Sequence, residues 1–151
     1  MAVKDISPLF EITQEKGIVV FEHGNKELTN SPWTKRDCFV LMDADKPEFY
    51  NDVQLTATFS LWKKEERSIG FLKEWLSYCE DYRILTNAPN TIAENLAGFN
   101  EHRHDQSILT IMSKKHNLER FRDPSQWGNE DFKKNSTYEQ IFYHHRMRLF
   151  G

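Results

Sequence analysis

Five short stretches of this chain carry the residue types from which binding and catalytic sites are made. The densest is His102-Arg103-His104-Asp105-Gln106-Ser107, placed where a helix is expected to begin. A helix N-terminus presents free N–H groups and a positive dipole end, so anions are favoured there. Two imidazoles, a guanidinium, a carboxylate and an amide add donors for phosphate or hydroxyl groups and a candidate base. The same string also reads as an Asp105 N-cap with solvated neighbours. Near the C-terminus stands His144-His145-Arg146-Met147-Arg148. Neutral imidazole can ligate a divalent metal, and arginine can pair with a diphosphate. Adjacent histidines on a strand point to opposite faces, so one of the pair at most would reach a given site. A solvated basic tail is the competing reading.

Three further places carry such residues. Asp43-Ala44-Asp45 follows an apolar run, and two carboxylates so spaced at a strand end can hold Mn²⁺ or Mg²⁺. Thr34 with Asp37 three residues on is a helix-start pattern, however, so residues 35–42 are expected to be helical rather than extended. Trp33-Thr34-Lys35-Arg36-Asp37 sets two cations beside an aromatic, a place to receive a phosphate or a sugar. A capped surface helix fits that string as well. Gln54 could hydrogen-bond a ligand hydroxyl.

The elements that must position these groups alternate between strand and helix. Ser7-Pro8 opens a helix that should end near Gly17. Ile18-Val19-Val20-Phe21 is a continuous β-branched and aromatic run, hence a buried strand. Residues 56–62 alternate, with Ala57, Phe59 and Leu61 on one side, and are expected at the centre of a sheet. From Glu65 to about Tyr82, Ile69, Leu72, Trp75, Leu76 and Cys79 recur at helical spacing. A long irregular stretch runs from Arg83 to about Asn100, and such a length suggests function or a lid. A helix through Ile108 to Met112, a short strand at Leu118 to Phe121 and a loop-like tail complete the chain. The order implies an α/β fold with two or three strands, too few for a complete doubly wound sheet.

Bulk properties narrow the function classes. The 151 residues fit one domain able to bury a sizeable core. Twenty Lys and Arg against 23 Asp and Glu give a net charge of −3, which argues against general nucleic-acid binding. Aromatic residues form 13% of the chain and supply flat faces for sugar rings. Cys38 and Cys79 have neither metal-ligand spacing nor the numbers for a disulfide framework, which fits a reducing, cytoplasmic setting. No apolar run approaches the ~18 residues of a membrane span, and no signal-peptide core is expected.

Six strings, taken in order, resemble a bacterial and viral family of polysaccharide glycosyltransferases with the nucleotide-diphospho-sugar transferase (GT-A) fold. They are Trp33-Thr34-Lys35-Arg36-Asp37, Gln54 before a Phe-containing strand, Phe71-Leu72-Lys73-Glu74-Trp75-Leu76, His102 to Leu109, Phe121-Arg122-Asp123-Pro124-Ser125-Gln126, and His144 to Arg148. The resemblance implies a partial GT-A-like mixed sheet flanked by helices, residues 1–151 forming the acceptor-side portion. It also implies that an N-terminal nucleotide-binding half is missing, since Lys4 to Leu9 resembles the helix that follows its last strand. Asp43-Ala44-Asp45 does not align with the family's metal motif.

The parent reaction would move a glycosyl group from a nucleoside diphosphate sugar to a saccharide hydroxyl in surface polysaccharide synthesis. On this resemblance Asp105 and Gln106 would bind or activate the acceptor. Lys35, Arg36, Gln54, His102, Arg103, His104 and Arg146 would handle the diphosphate or hydroxyls, and His144 or His145 would ligate Mn²⁺ or Mg²⁺. The chain alone is expected to be inactive, and to associate with itself or with a complementing N-terminal half. A non-catalytic module that binds glycan or completes a partner is the alternative. A metal hydrolase ranks last, because no His-x-x-x-His spacing is present. If the resemblance holds, Asp105, Gln106, Gln54 and a late histidine should share one polar cleft, with Arg103 or Arg146 at its rim.

Overall fold

The computed structural model describes residues 1–131 and 133–144. Two cores lie on opposite sides of one short sheet. Strand β1 (Ile18–Glu22) is central, flanked by β2 (Leu55–Trp62), antiparallel to it, and β3 (Arg120–Arg122), parallel to it. Because β1 is covered on both faces, its run is apolar at every position rather than alternating. Ile18 and Val20 enter one core, Val19 and Phe21 the other. Strand β2, expected at the centre, is an edge strand among the described residues. Alternation reports a covered face but not a strand's rank in its sheet. The pairing also slips between Val19↔Leu61 and Phe21↔Thr56. Ala57 therefore packs on the first core, whereas Phe59 and Leu61 pack on the second.

Helix α1 (Ser7–Lys16) covers the second core with Leu9, against Phe21, Phe121, Tyr138 and Ile141. Ser7 is its first residue rather than its cap. The Asp5 carboxylate takes hydrogen bonds from Ser7 N–H and Oγ–H. Helices α2 (Arg36–Leu41), α3 (Pro47–Tyr50), α4 (Glu66–Cys79), α5 (Tyr82–Leu85) and α6 (His104–Lys115) contribute to the first core. The helical expectation for 35–42 holds, with Lys35 as the cap, while the Thr34 hydroxyl turns to Asn30 instead. Helix α4 carries two apolar stripes. The one containing Phe71 and Trp75 packs inward, leaving Ile69, Leu72 and Leu76 exposed. No helix among the described residues is long and apolar enough to cross a membrane.

Helix α6 is locked to the sheet by Thr110, whose Oγ1 accepts the Leu55 N–H (3.1 Å) and donates to the Gln106 carbonyl (2.8 Å). One helical turn back from Thr110, Gln106 is thereby held over the first residues of β2.

Candidate functional site

The C-terminal ends of parallel β1 and β3 meet the start of antiparallel β2 at one end of the sheet. The carboxyl ends of parallel strands are where α/β proteins gather their ligand groups. Here His23 follows β1, Gln54 precedes β2 and Asp123 follows β3. The His23 N–H donates to the Gln54 carbonyl at 2.9 Å, extending the strand pairing into the site. These three side chains help line a cleft of about 730 Å³, within the range of small-molecule sites.

Its walls come from four other segments. The 3₁₀ turn Ser31–Trp33 supplies Trp33, whose carbonyl accepts the Arg103 N–H (2.9 Å) and the Ser107 hydroxyl (2.9 Å). This pins the indole beneath the start of α6, which contributes Arg103 and Gln106. The 3₁₀ turn Gln126–Gly128 supplies Gln126 and Trp127. That turn passes so close to Gly24 that a Cβ there would lie 1.8 Å from the Trp127 carbonyl, so only glycine fits. Tyr143 and His144 form the last wall. The Gln126 side-chain amide donates to the His144 carbonyl and accepts the His144 N–H (2.9 Å), holding the tail across the opening.

The polar atoms are ordered as a relay. Gln106 Nε2 donates to Gln54 Oε1 (2.7 Å), and Gln54 Nε2 donates to Asn30 Oδ1 (3.0 Å). Gln54 is almost wholly buried. Asp123, also buried, accepts Ser125 N–H on one oxygen (2.7 Å) and the Thr56 hydroxyl on the other (3.2 Å). Burial pushes the His23 imidazole below its ordinary value. Asp123 opposes that shift, while Arg103 and Lys26 add to it. His23 is therefore neutral near pH 7. Its Nδ1 accepts the Asn25 N–H (3.1 Å), which puts the proton on Nε2.

Of the residues read from sequence, the cleft gathers Gln54, Arg103, Gln106 and His144, with Trp33. Asp105 is exposed in the first turn of α6 and is not among the lining residues; the carboxylate there is Asp123. Lys35, Arg36, His102 and His104 also stand apart from this cleft. Lys35 Nζ donates to the Ala88 carbonyl (2.7 Å), and the Arg36 guanidinium pairs with both oxygens of Asp45 at 2.9 Å. His102 Nε2 donates to the Ile84 carbonyl (2.7 Å), and His104 Nε2 meets Asn87 Oδ1 (3.2 Å). Asp45 is thus consumed by Arg36 and by the Tyr50 hydroxyl (2.6 Å), and the run before Asp43 is helical, so the pair forms no strand-end metal site.

His145 and Arg146 lie outside the described residues. Among those described, no group of three or more His, Cys, Asp or Glu is placed to hold a metal ion.

Sequence reasoning missed His23, Asp123, Gln126 and Trp127 as cleft residues. Asp123 and Gln126 fall within the Phe121–Gln126 string that carries the resemblance, with no role assigned to them there, whereas a lone His in a loop carries no spacing signal. Asp123-Pro124-Ser125 is an Asx-turn pattern, and the turn is what fixes the carboxylate. Compared with known proteins, the chain matches no family model, no curated protein and no solved structure.

Proposed function

We propose that the cleft binds a saccharide, as the acceptor side of a glycosyltransferase-like protein. One observation carries the reading: Trp33, Gln54, Arg103, Gln106, Asp123, Trp127 and His144, spread over more than a hundred residues of sequence, converge on one opening. Such a set suits a sugar. Indole faces receive the apolar C–H side of a pyranose, while amides, a carboxylate and an imidazole receive its hydroxyls. Gln106 offers its carbonyl oxygen and its second N–H, since one N–H is directed to Gln54.

In glycosyl transfer the acceptor oxygen bonds to the anomeric carbon as the bond to the diphosphate breaks, and the acceptor proton passes to a base. Asp123 is the cleft's candidate for taking that proton, and neutral His23, with its proton on Nε2, for donating a hydrogen bond that orients the hydroxyl. A non-catalytic glycan-binding module is the second reading. It is favoured by the engagement of both Asp123 oxygens within the fold and by the placement of Asp105 outside the cleft.

A glycan array, followed by tryptophan fluorescence titration of the best binder, tests the saccharide reading. Saturable binding is expected, weakened about ten-fold in Gln106→Ala through loss of one or two hydrogen bonds. An array on which nothing binds would end the proposal. Incubation with UDP- or GDP-sugars and the bound glycan then separates the two readings. The chain is expected to bind without turnover, and product formation abolished by Asp123→Asn would establish transfer.

A further inference from the structure

We infer that the cleft selects an anionic saccharide, one bearing a carboxylate or a phosphate, through Arg103; this rests on the saccharide reading of the cleft. The Arg103 guanidinium lies over the Trp33 ring, 4.3 Å from carbon Cζ to the ring centroid. Stacking fixes the plane of the fork, while the N–H groups along its edge point outward in that plane. Arg103 nevertheless donates no side-chain hydrogen bond among the described residues, and its Nε is buried without one. The Glu101 carboxylate stands 2.9 Å from that Nε but off the hydrogen-bonding direction, and it is mostly exposed. Among the described residues Arg103 is thus ion-paired only with the mostly exposed Glu101, and its Nη groups keep their N–H donors for a ligand oxygen.

The other ionisable groups of the cleft leave the guanidinium unoccupied. Its carboxylate, Asp123, is spent on Ser125 and Thr56, and it forms no ion pair with Arg103. His23 is neutral near pH 7 and adds a donor without adding negative charge. A guanidinium held over an indole in the lining of a cleft can take a carboxylate or phosphate by two parallel hydrogen bonds. Glu101 then acts as a weak internal competitor at the rim, displaced when the ligand's anionic group arrives.

The experiment compares matched neutral and uronate-bearing glycans on an array. Calorimetry with the best matched pair and with UDP-glucose follows, for the wild type, Arg103→Gln, Arg103→Lys and Glu101→Gln. The anionic member should bind on the order of ten-fold tighter than its neutral match, as expected of a charge-assisted bidentate contact. Arg103→Gln should level the pair and Arg103→Lys should retain part of the preference. Glu101→Gln should strengthen anionic binding while leaving neutral binding unchanged. Preference for the uronate over UDP-glucose assigns the anion to a carboxylate, and the reverse order to a phosphate; either supports the inference. Equal binding of neutral and anionic glycans, unaffected by Arg103→Gln in a protein of unchanged melting temperature, overturns it while leaving the saccharide reading standing. Binding of none of the glycans sinks both.

Discussion

Two short stretches, residues 33–37 and 101–106, send their side chains to two different places, and the two places are chemically unlike. Trp33, Arg103 and Gln106 face the cleft. Lys35, Asp37 and His102 face the loop at residues 86–101, and there the principal polar groups find partners. Asp37 accepts N–H bonds from Thr91, Ile92 and Ala93 and the Thr91 hydroxyl. His102 spans from the Lys35 N–H to the Ile84 carbonyl, and Lys35 Nζ ties to Thr86 and Ala88. The first set keeps unused hydrogen-bonding capacity toward a cavity; the second spends its capacity on the fold. Polar residues of one sequence string can thus be divided into ligand groups and scaffold by where their donors and acceptors end.

The sharpest way to break this division is at Asp37. Four hydrogen bonds converge on its buried carboxylate. Burial raises its pKa, but the three backbone N–H groups and the Thr91 hydroxyl outweigh that and hold it below the usual carboxylate value. Asp37→Ala would strand those donors and is expected to cost about 3–4 kcal/mol, given non-additive hydrogen bonds to a charge. Urea unfolding measures it. A loss under about 1 kcal/mol would mean that the loop is held by something else.

His102 gives the next largest effect, visible through pH. Burial, helped by His104 and Lys35 and only partly opposed by the Ile84 hydrogen bond, lowers its pKa to about 4. The unfolded chain, with an ordinary imidazole near 6.5, binds more protons than the folded chain between those values. Stability is therefore fully present above about pH 6.5 and is lost as pH falls toward 4, by roughly 3 kcal/mol. In His102→Asn the slope between pH 6.5 and 5 should flatten, because Asn keeps a donor and an acceptor without titrating. An unchanged slope would locate the proton uptake at another group, with His23, also lowered, as the next to vary.

The uneven legibility of this chain in its sequence has the same origin. Strand β1 was readable because burial on both faces demands a continuous apolar run. Helix α4 was readable as a helix, but its inward face was not. Ile69-Leu72-Leu76 and Phe71-Trp75 both have helical spacing, and packing chose the bulkier aromatics. The edge position of β2 depends on which strands pair, and β3 joins β1 from a hundred residues away. In the candidate site, Gln54, Arg103, Gln106 and His144 were named from strings and do share the cleft. Asp105 was named as a candidate base and, by the resemblance, as an acceptor-binding residue; it stands instead in the first turn of α6, where a carboxylate suits the helix dipole, with Arg103 as the cap. The Asp123-Pro124-Ser125 turn pattern fixes the Asp123 carboxylate locally, but that Asp123 and His23 meet in the cleft depends on which strands end there, and no local pattern announces that.

Arg36 supplies the smallest effect and the strictest comparison, since it belongs to the same string as Trp33 and was given the same role as Arg103. Both are arginines beside a carboxylate, yet their hydrogen bonds differ. Arg36 donates through Nε and Nη2 to the two oxygens of Asp45, a bidentate pair completed by the Tyr50 hydroxyl, while the Arg103 side chain, ion-paired with Glu101, donates no hydrogen bond among the described residues. The Arg36–Asp45 pair is half-buried and open to solvent on one side, so its removal should cost little. The loss should shrink further in roughly 1 M salt, where the screening length falls to about 3 Å. Arg36→Gln should therefore lower the melting temperature slightly at low salt and leave saccharide affinity unaltered, whereas Arg103→Gln should do the opposite. The two variants, measured side by side by thermal melting and by titration with the same anionic glycan, decide whether the division is real. If Arg36→Gln weakens binding as much as Arg103→Gln does, saturation of hydrogen bonds does not separate scaffold from site here, and the ligand must extend to the Arg36–Asp45 pair.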